Sequence, residues 1–478
     1  MKRIIFAMGE AAPFAKTGGL GDVAGSLPGA IKELDGDVRV IMPKYGSIPQ
    51  GFMEGYRHIA DFRVEVSWRS QFCALGEVEH QGIHYYFIDN EYYFKRDCLY
   101  GYDDDAERFA FFNRAVLESL PRIEGFKPDI VHCHDWHTAL IPMMIREHYG
   151  DDPYYSGIRT VLTIHNLRHQ GIFPLYILGD ILGIAEGGRI ANNLEFDGAV
   201  NYLKGGLVYS DSITTVSPTY ALEILTPYYG EGLDGILRMQ RDKLRGILNG
   251  IDYKIYNPLK DPDIFVRYRS SLSKKADNKV ALQSLVGLPE DRDVPLLGLV
   301  TRLDSQKGLD LLNYIMDELM GEDLQMVVLG TGDRTYEDAF YYFASKYPSK
   351  LAVKIMFDSS LARKIYASAD MLLMPSQFEP CGLAQMIAMR YSTVPIVRET
   401  GGLKDTVIPY NEVTGEGNGF SFANYNAHEL LFTIQRALRI YREDKSAWKR
   451  ITESGRKMDF SWDASARHYM ELYKELAE

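Results

Sequence analysis

Two cations, Arg302 and Lys307 in TRLDSQKGLD, lie just past the apolar run VPLLGLV and just before a helix-like run. A guanidinium fork and an ammonium at such a turn suit a diphosphate, although any single loop cation is as readily only solvated. Glu379, in PSQFEPCGLAQ, falls between the run DMLLMPS and a helix expected near Gly382. A carboxylate there can be a cap or a dipole partner. Pro380 and Gly382 point instead to a shaped turn in which it meets a sugar hydroxyl, with Cys381 as a small buried neighbour. The tetrapeptide TGGL occurs twice, in KTGGLGDV from Lys16 and in ETGGLKDTV from Glu399, each time between a strand and a helix. Such turns expose N–H groups at a positive dipole end and hold anions, but glycine is also the default residue of any tight turn.

VHCHDWHTAL gathers His132, His134, Asp135 and His137 around Trp136 and invites a metal reading. A fourth convergent ligand is missing, and alternate residues of a strand point to opposite faces, so no metal is expected. Asp135 and Trp136 at the strand end can instead meet a sugar, by hydrogen bond and by stacking. IHNLRHQG places His165 and Asn166 at another strand end, with a plain polar loop as the alternative. Asp22 stands in the first turn of the opening helix, where it complements the dipole in any case. LGTGD resembles half of a dinucleotide fingerprint, but its third glycine would fall at Thr335, which excludes NAD; no cofactor is expected.

The elements that must position these residues alternate as stacked βα units do. RIIFAM, DVRVIMP, DIVHCHD, RTVLTIHN and SITTVSP read as buried parallel strands, with helices such as AERFAFFNRAVLESL and HTALIPMMIREHY between them. From Ile59 to Asp89 the period falls to two, which predicts an antiparallel insertion. LRGILNGID reads as a last strand and a boundary, after which VPLLGLVTRL, LQMVVLGTG, LAVKIMF, DMLLMPS and TVPIVRE restart the rhythm. Past Asn424 the chain reads as helix, interrupted near Trp462. The expectation is an α/β protein of two doubly wound, Rossmann-like domains facing a deep cleft, residues 1–247 and 248–457, with 458–478 a helix packing back on the first domain.

At 478 residues the chain exceeds one ordinary core. A net charge of −12 argues against nucleic-acid or anionic-membrane partners, so an anionic ligand needs a local cluster of cations. The four cysteines form no CxxC pair, no apolar run reaches membrane-spanning length, and a strand begins almost at the N-terminus; a cytoplasmic location without a leader is expected.

KTGGLGDVAGSLP, HDWH, TIHN, NGID, RLDSQKGLD, GTGD, EPCGL and ETGGL, in this order, resemble bacterial glycogen synthases and plant starch synthases over almost the whole chain. These are retaining glucosyltransferases of the two-domain GT-B type. The resemblance implies transfer of glucose from ADP-glucose to the non-reducing 4-OH of an α-1,4-glucan (glycogen or a maltooligosaccharide), without a metal. It implies that Arg302 and Lys307 hold the donor diphosphate, and that Lys16, Gly18 and Gly19 form a loop closing on the donor. Glu379, Cys381, Gly382 and Leu383, with Thr400, Gly401 and Gly402, correspond to the glucose and phosphate site. His165 corresponds to the residue beside the reacting carbon, Asn166 and Asn249 to glucose-binding neighbours, and Phe357 to an aromatic stacking on adenine. Asp22, Asp135 and Trp136 fall where the acceptor approaches. The sequence departs from the family at His169, where Tyr is usual, and at Ala384, where Thr is usual. One rival keeps the fold and changes the donor to UDP-glucose or the acceptor to a small sugar; a rival of another class is a catalytically silent glucan-binding or regulatory protein. The presence of Arg302, Lys307 and Glu379 disfavours the silent form.

Overall fold

Apolar and β-branched residues fill the short runs of the first half, which need burial on both faces and find it in one sheet. In the computed structural model, which describes residues 2–477, these are β1 (Arg3–Ala7), β2 (Asp37–Pro43), β3 (Arg57–Val66), β4 (Arg69–His80), β5 (Ile83–Asp89), β6 (Ile130–His134) and β7 (Arg159–Ile164). A small antiparallel sheet follows, from β8 (Ile172–Pro174), β9 (Glu195–Phe196) and β10 (Ala199–Asn201), and then β11 (Ser212–Thr215) and β12 (Leu244–Gly246) complete the main sheet. Its order is β12-β11-β7-β6-β1-β2-β5-β4-β3. Only β4 runs against its neighbours. The segment expected as an antiparallel insertion is therefore an extension of this sheet. β5 is buried along most of its length and pairs with β2 in parallel, Val40 opposite Tyr85, while β3 and β4 form the outer hairpin.

The stretch HTALIPMMIREHY is not one helix. A short turn at Trp136–Thr138 precedes a helix at Ile141–Glu147. The break is stabilised by Asn113, whose Oδ1 accepts from Leu140 N at 3.1 Å and Ile141 N at 3.0 Å while its Nδ2 donates to His137 O at 2.7 Å.

The second unit holds β13 (Leu296–Val300), β14 (Gln325–Gly330), β15 (Leu351–Ile355), β16 (Met371–Met374), β17 (Val394–Arg398) and β18 (Phe420–Phe422). Every pairing is parallel, in the order β15-β14-β13-β16-β17-β18. Counted from its own first strand this is the 3-2-1-4-5-6 order of dinucleotide-binding sheets. The parallel part of the first sheet has the same order with one more strand. In each sheet the winding reverses beside the first strand, between β1 and β6 and between β13 and β16. A crevice opens outside the carboxyl ends of strands at such a point.

The first unit runs to Val216, takes in Ala221–Leu248 and resumes at Trp462; the second comprises Ser217–Tyr220 and Asn249–Ser461. Ser217 Oγ donates to Pro380 O at 2.6 Å and Thr219 Oγ1 to Asp405 Oδ1 at 2.6 Å, which ties that short detour into the second unit. The second unit continues past residue 457 because Phe460 N donates to Tyr253 OH at 2.8 Å and Ile251 pairs with Ser461. The helices Ala427–Glu443 and Lys445–Lys457 bury Leu430, Ile434, Leu438 and Ile451 in its core. The helix Trp462–Leu476 belongs to the first unit, where Tyr473 OH meets His132 Nδ1 at 2.7 Å.

The helix Leu272–Val286 of the second unit carries no clear apolar period in the sequence. It buries Lys275, whose Nζ donates to the carbonyls of Tyr366, Ala367 and Tyr391 and to Thr393 Oγ1. This ammonium stitches the ends of two helices, Ser359–Ser368 and Ala384–Arg390, to the start of β17. Burial pulls this ammonium down to about 7, with Asp370 opposing. An unfolded lysine titrates near about 10.4, so between these values the unfolded chain binds more protons and stability rises with pH. Between pH 7 and 9 the denaturant midpoint of the native chain should therefore climb relative to Lys275→Met. Parallel curves for the two proteins would refute a depressed, buried lysine.

Candidate active site

In the first unit the loop between β1 and the helix Gly19–Lys32 is wrapped around a carboxylate that the sequence reading did not single out. Glu10 is 1% exposed. Its Oε2 accepts from Thr17 N at 2.8 Å and Thr17 Oγ1 at 2.5 Å, and also from Tyr100 OH; its Oε1 accepts from Gly18 N at 3.2 Å and Gly21 N at 2.9 Å. The N–H groups expected to be open to an anion are thus taken by the chain's own carboxylate. Lys16 stays at the surface, its Nζ 2.6 Å from Asp22 Oδ1. Burial raises the Asp22 carboxyl and Lys16 opposes the rise. A cavity of about 650 Å³ borders the loop, lined by Pro13, Lys16, Thr17, Cys98, Leu99 and Tyr100. The signal for Glu10 was present: an acid three residues past a strand, in the loop that leads to the glycine turn.

Asp135 follows β6 with φ 54° and ψ −172°, a strained backbone for a residue other than glycine. Its Oδ1 accepts from His165 N at 2.7 Å, and Asn166 N donates to the same carboxylate. Burial pushes the Asp135 carboxyl up to about 7, and those two N–H groups pull against the rise. This carboxylate clasps the turn after β7 and so fixes where His165 sits. His134 Nδ1 lies 3.0 Å from His165 Nε2. Burial lowers His165 to about 3, so its ring is neutral at working pH. The stacking expectation for Trp136 needs correction. Its indole is buried, against His137 at 4.2 Å, Phe109 at 4.9 Å and Phe173 at 5.7 Å between ring centres, and it offers little surface to a sugar.

In the second unit the loops after β13 and β16, on either side of the reversal, meet through an ion pair. Lys307 Nζ lies 2.7 Å from Glu379 Oε2, which also accepts from Ser376 Oγ at 3.0 Å. Both side chains are largely buried, whereas Arg302 is mostly exposed, with Asp304 Oδ2 at 3.5 Å. The ETGGL glycines serve the backbone. Gly401 has φ +44°, and a Cβ there would fall 2.0 Å from Glu379 O; a Cβ on Gly402 would fall 2.1 Å from Cys381 O. Gly402 N donates to Glu379 O and Pro380 O, both at 3.2 Å. The glycines therefore let the loop after β17 press against the Glu379 loop. Thr400 is fully buried beside them, and Leu383 caps the helix Ala384–Arg390 next to Gly382. Burial pushes the Cys381 thiol up to about 12 and keeps it protonated. Asn249 is buried, and its Oδ1 has no partner among the described residues. Phe357, just past β15, is 88% exposed. No group of acidic, His or Cys side chains among the described residues has the arrangement of a metal site.

Residues 3–239 match the family described as the starch synthase catalytic domain, and residues 286–458 match glycosyl transferases group 1. Glycogen synthase of Desulforamulus reducens is 53% identical over 99% of this chain and 98% of its own. Glycogen synthase of Geobacillus stearothermophilus is 54% identical, with 99% of this chain and 98% of that protein covered. The catalytic domain of starch synthase IV from Arabidopsis thaliana, solved with ADP and acarbose, superposes with a TM-score of 0.90 at 34% identity, covering 100% of this chain and 99% of that one. The chain belongs to the glycogen and starch synthase family. Sucrose-phosphate synthase from Thermosynechococcus elongatus, at TM-score 0.62 and 17% identity, shares the GT-B fold.

As a member of this family the chain is a glucosyltransferase, and Glu10 ties together the loop before its first helix. Hydrogen bonds to a charged acceptor are worth about 1.5–3 kcal/mol each, so a neutral amide in place of the carboxylate should loosen the loop. Glu10→Gln should exchange the amide hydrogens of Thr17, Gly18 and Gly21 at least about tenfold faster than the native chain. Unchanged exchange would mean that this carboxylate does not hold the loop.

Proposed function

We propose that this glucosyltransferase moves glucose from ADP-glucose to the non-reducing 4-OH of an α-1,4-glucan, with retention of configuration. The observation that carries the reading is the trio at the reversal of the second sheet: a paired Lys307 and Glu379, and an exposed Arg302. In the proposal the second unit, from Asn249 onward, takes the donor and the first unit serves the acceptor. Arg302 and Lys307 hold the diphosphate and offset the charge that builds on departing ADP. Glu379 receives glucose hydroxyls, and Gly382, Leu383 and Thr400 line the same turn. The partnerless Oδ1 of Asn249 supports a glucose contact, as the free face of Phe357 supports stacking on adenine. ADP and acarbose, the ligands of the Arabidopsis structure, are adenosine diphosphate and a glucan-like oligosaccharide, which supports both halves of the assignment.

In the first unit, in this proposal, Lys16 is the exposed cation of a turn that Gly18 and Gly19 shape and Glu10 holds, His165 and Asn166 stand at the end of β7 with a sugar-binding role, and Asp22 serves the acceptor. Asp135 acts through the backbone of His165, with Trp136 as a buried support beneath. No helix among the described residues is long and apolar enough to cross a membrane, and all four cysteines are free, both compatible with a cytoplasmic enzyme.

Nucleotide release from ADP-glucose or UDP-glucose with glycogen tests the reading. ADP release should dominate, and Arg302→Ala or Lys307→Ala should lower it by about 10²–10³ while the fold persists. Preferred release of UDP would overturn the donor assignment. A folded Lys307→Ala enzyme with native turnover would remove the ammonium from the chemistry.

A further inference from the structure

The rings of His134 and His165 share a single hydrogen. His134 Nδ1 is 3.0 Å from His165 Nε2, and burial lowers both imidazoles, so each is neutral and carries one N–H. Two arrangements satisfy the contact. In one, His165 Nε2–H donates, and the hydrogen of His134 must then sit on its own Nε2. That atom is fully buried, has no partner among the described residues, and belongs to a ring packed against Phe6 and His132. An N–H there stays unbonded. In the other, His134 Nδ1–H donates, and its Nε2 retains only a lone pair. Orphaned buried N–H groups are rarer in proteins than acceptors short of a donor, so the second arrangement is favoured. Which ring nitrogen is protonated follows from the bond the other one makes. With Nε2 accepting, His165 carries its hydrogen on Nδ1.

The surroundings hold this pair rigidly. Asp135 clasps the backbone of His165, and the ring of His132, 4.1 Å from that of His134, is itself anchored by Thr163 Oγ1 at 2.6 Å and Tyr473 OH at 2.7 Å. We propose that His134 is a positioning residue that locks His165 as its Nδ1–H tautomer, so that His165 presents a hydrogen-bond donor to an oxygen of the bound sugar. The sugar in this statement rests on the function proposed above; the tautomer does not.

The test is long-range proton–nitrogen NMR of the full-length protein with 15N-labelled histidine and no ligand, His165 being assigned by the signals that vanish in His165→Gln. The expected pattern is a protonated Nδ1 and a bare, accepting Nε2 on His165; the reverse pattern overturns the proposal. In His134→Phe that pattern should be lost, and kcat/KM for ADP-glucose should fall at least about tenfold, the scale of one hydrogen bond. His134→Asn, whose side-chain N–H can reach the same acceptor, should restore both. A His134→Phe enzyme that keeps the Nδ1–H pattern or native kcat/KM removes the positioning role. A native chain inactive on every nucleotide-glucose would defeat the glucosyl-transfer reading alone, since the spectra decide the tautomer without substrate.

Discussion

One ion pair organises the second unit's working end. Lys307 leaves the turn after β13, Glu379 leaves the loop after β16, and they meet at 2.7 Å with little exposure to water. Removing either partner would strand a buried charge, which is a larger cost than the pair's net contribution to stability. The loops are therefore tied across the point where the winding reverses. Gly401 and Gly402 press the loop after β17 onto the backbone of Glu379, so three strand ends share one anchor.

The same constraint recurs in the first unit with different chemistry. There the carboxylate of Glu10 occupies the N–H groups of the glycine turn, and Asp135 occupies those of His165 and Asn166. Both acids accept from backbone N–H groups, and Glu10 accepts as well from the hydroxyls of Thr17 and Tyr100. Their effect is to hold Lys16, Asp22 and His165 at the carboxyl ends of β1 and β7, where parallel sheets of this winding receive ligands. The strain at Asp135 belongs to this pattern: an unfavourable backbone persists because the surrounding bonds over-determine it.

The strand runs, the two-unit α/β architecture and the cations at the ends of strands were legible in the sequence, because period and strand-end position are local properties. What escaped was non-local. Trp136 looked like a stacking platform, yet its burial depends on Phe109 and Phe173, which lie far from it in the chain. The two TGGL copies look alike but answer to different partners, a side-chain carboxylate in one and backbone carbonyls in the other. The helix holding Lys275 hid because its buried positions include lysine, asparagine and glutamine satisfied by distant acceptors, which blurs the apolar period. β5 shares the alternation of its hairpin neighbours in sequence, and only its pairing with β2 reveals it as a parallel strand.

The central claim is that Lys307 is shared between Glu379 and the donor's diphosphate. Calorimetric titration of ADP into the full-length native chain, Lys307→Met, Glu379→Gln and the double variant tests it most directly. The account predicts that Lys307→Met weakens ADP binding at least about tenfold. Glu379→Gln, which frees the ammonium, should bind ADP as tightly as the native chain or more tightly, and the double variant should behave as Lys307→Met. Equal weakening in both single variants would show that the pair only holds the loops together, and would contradict the shared ammonium.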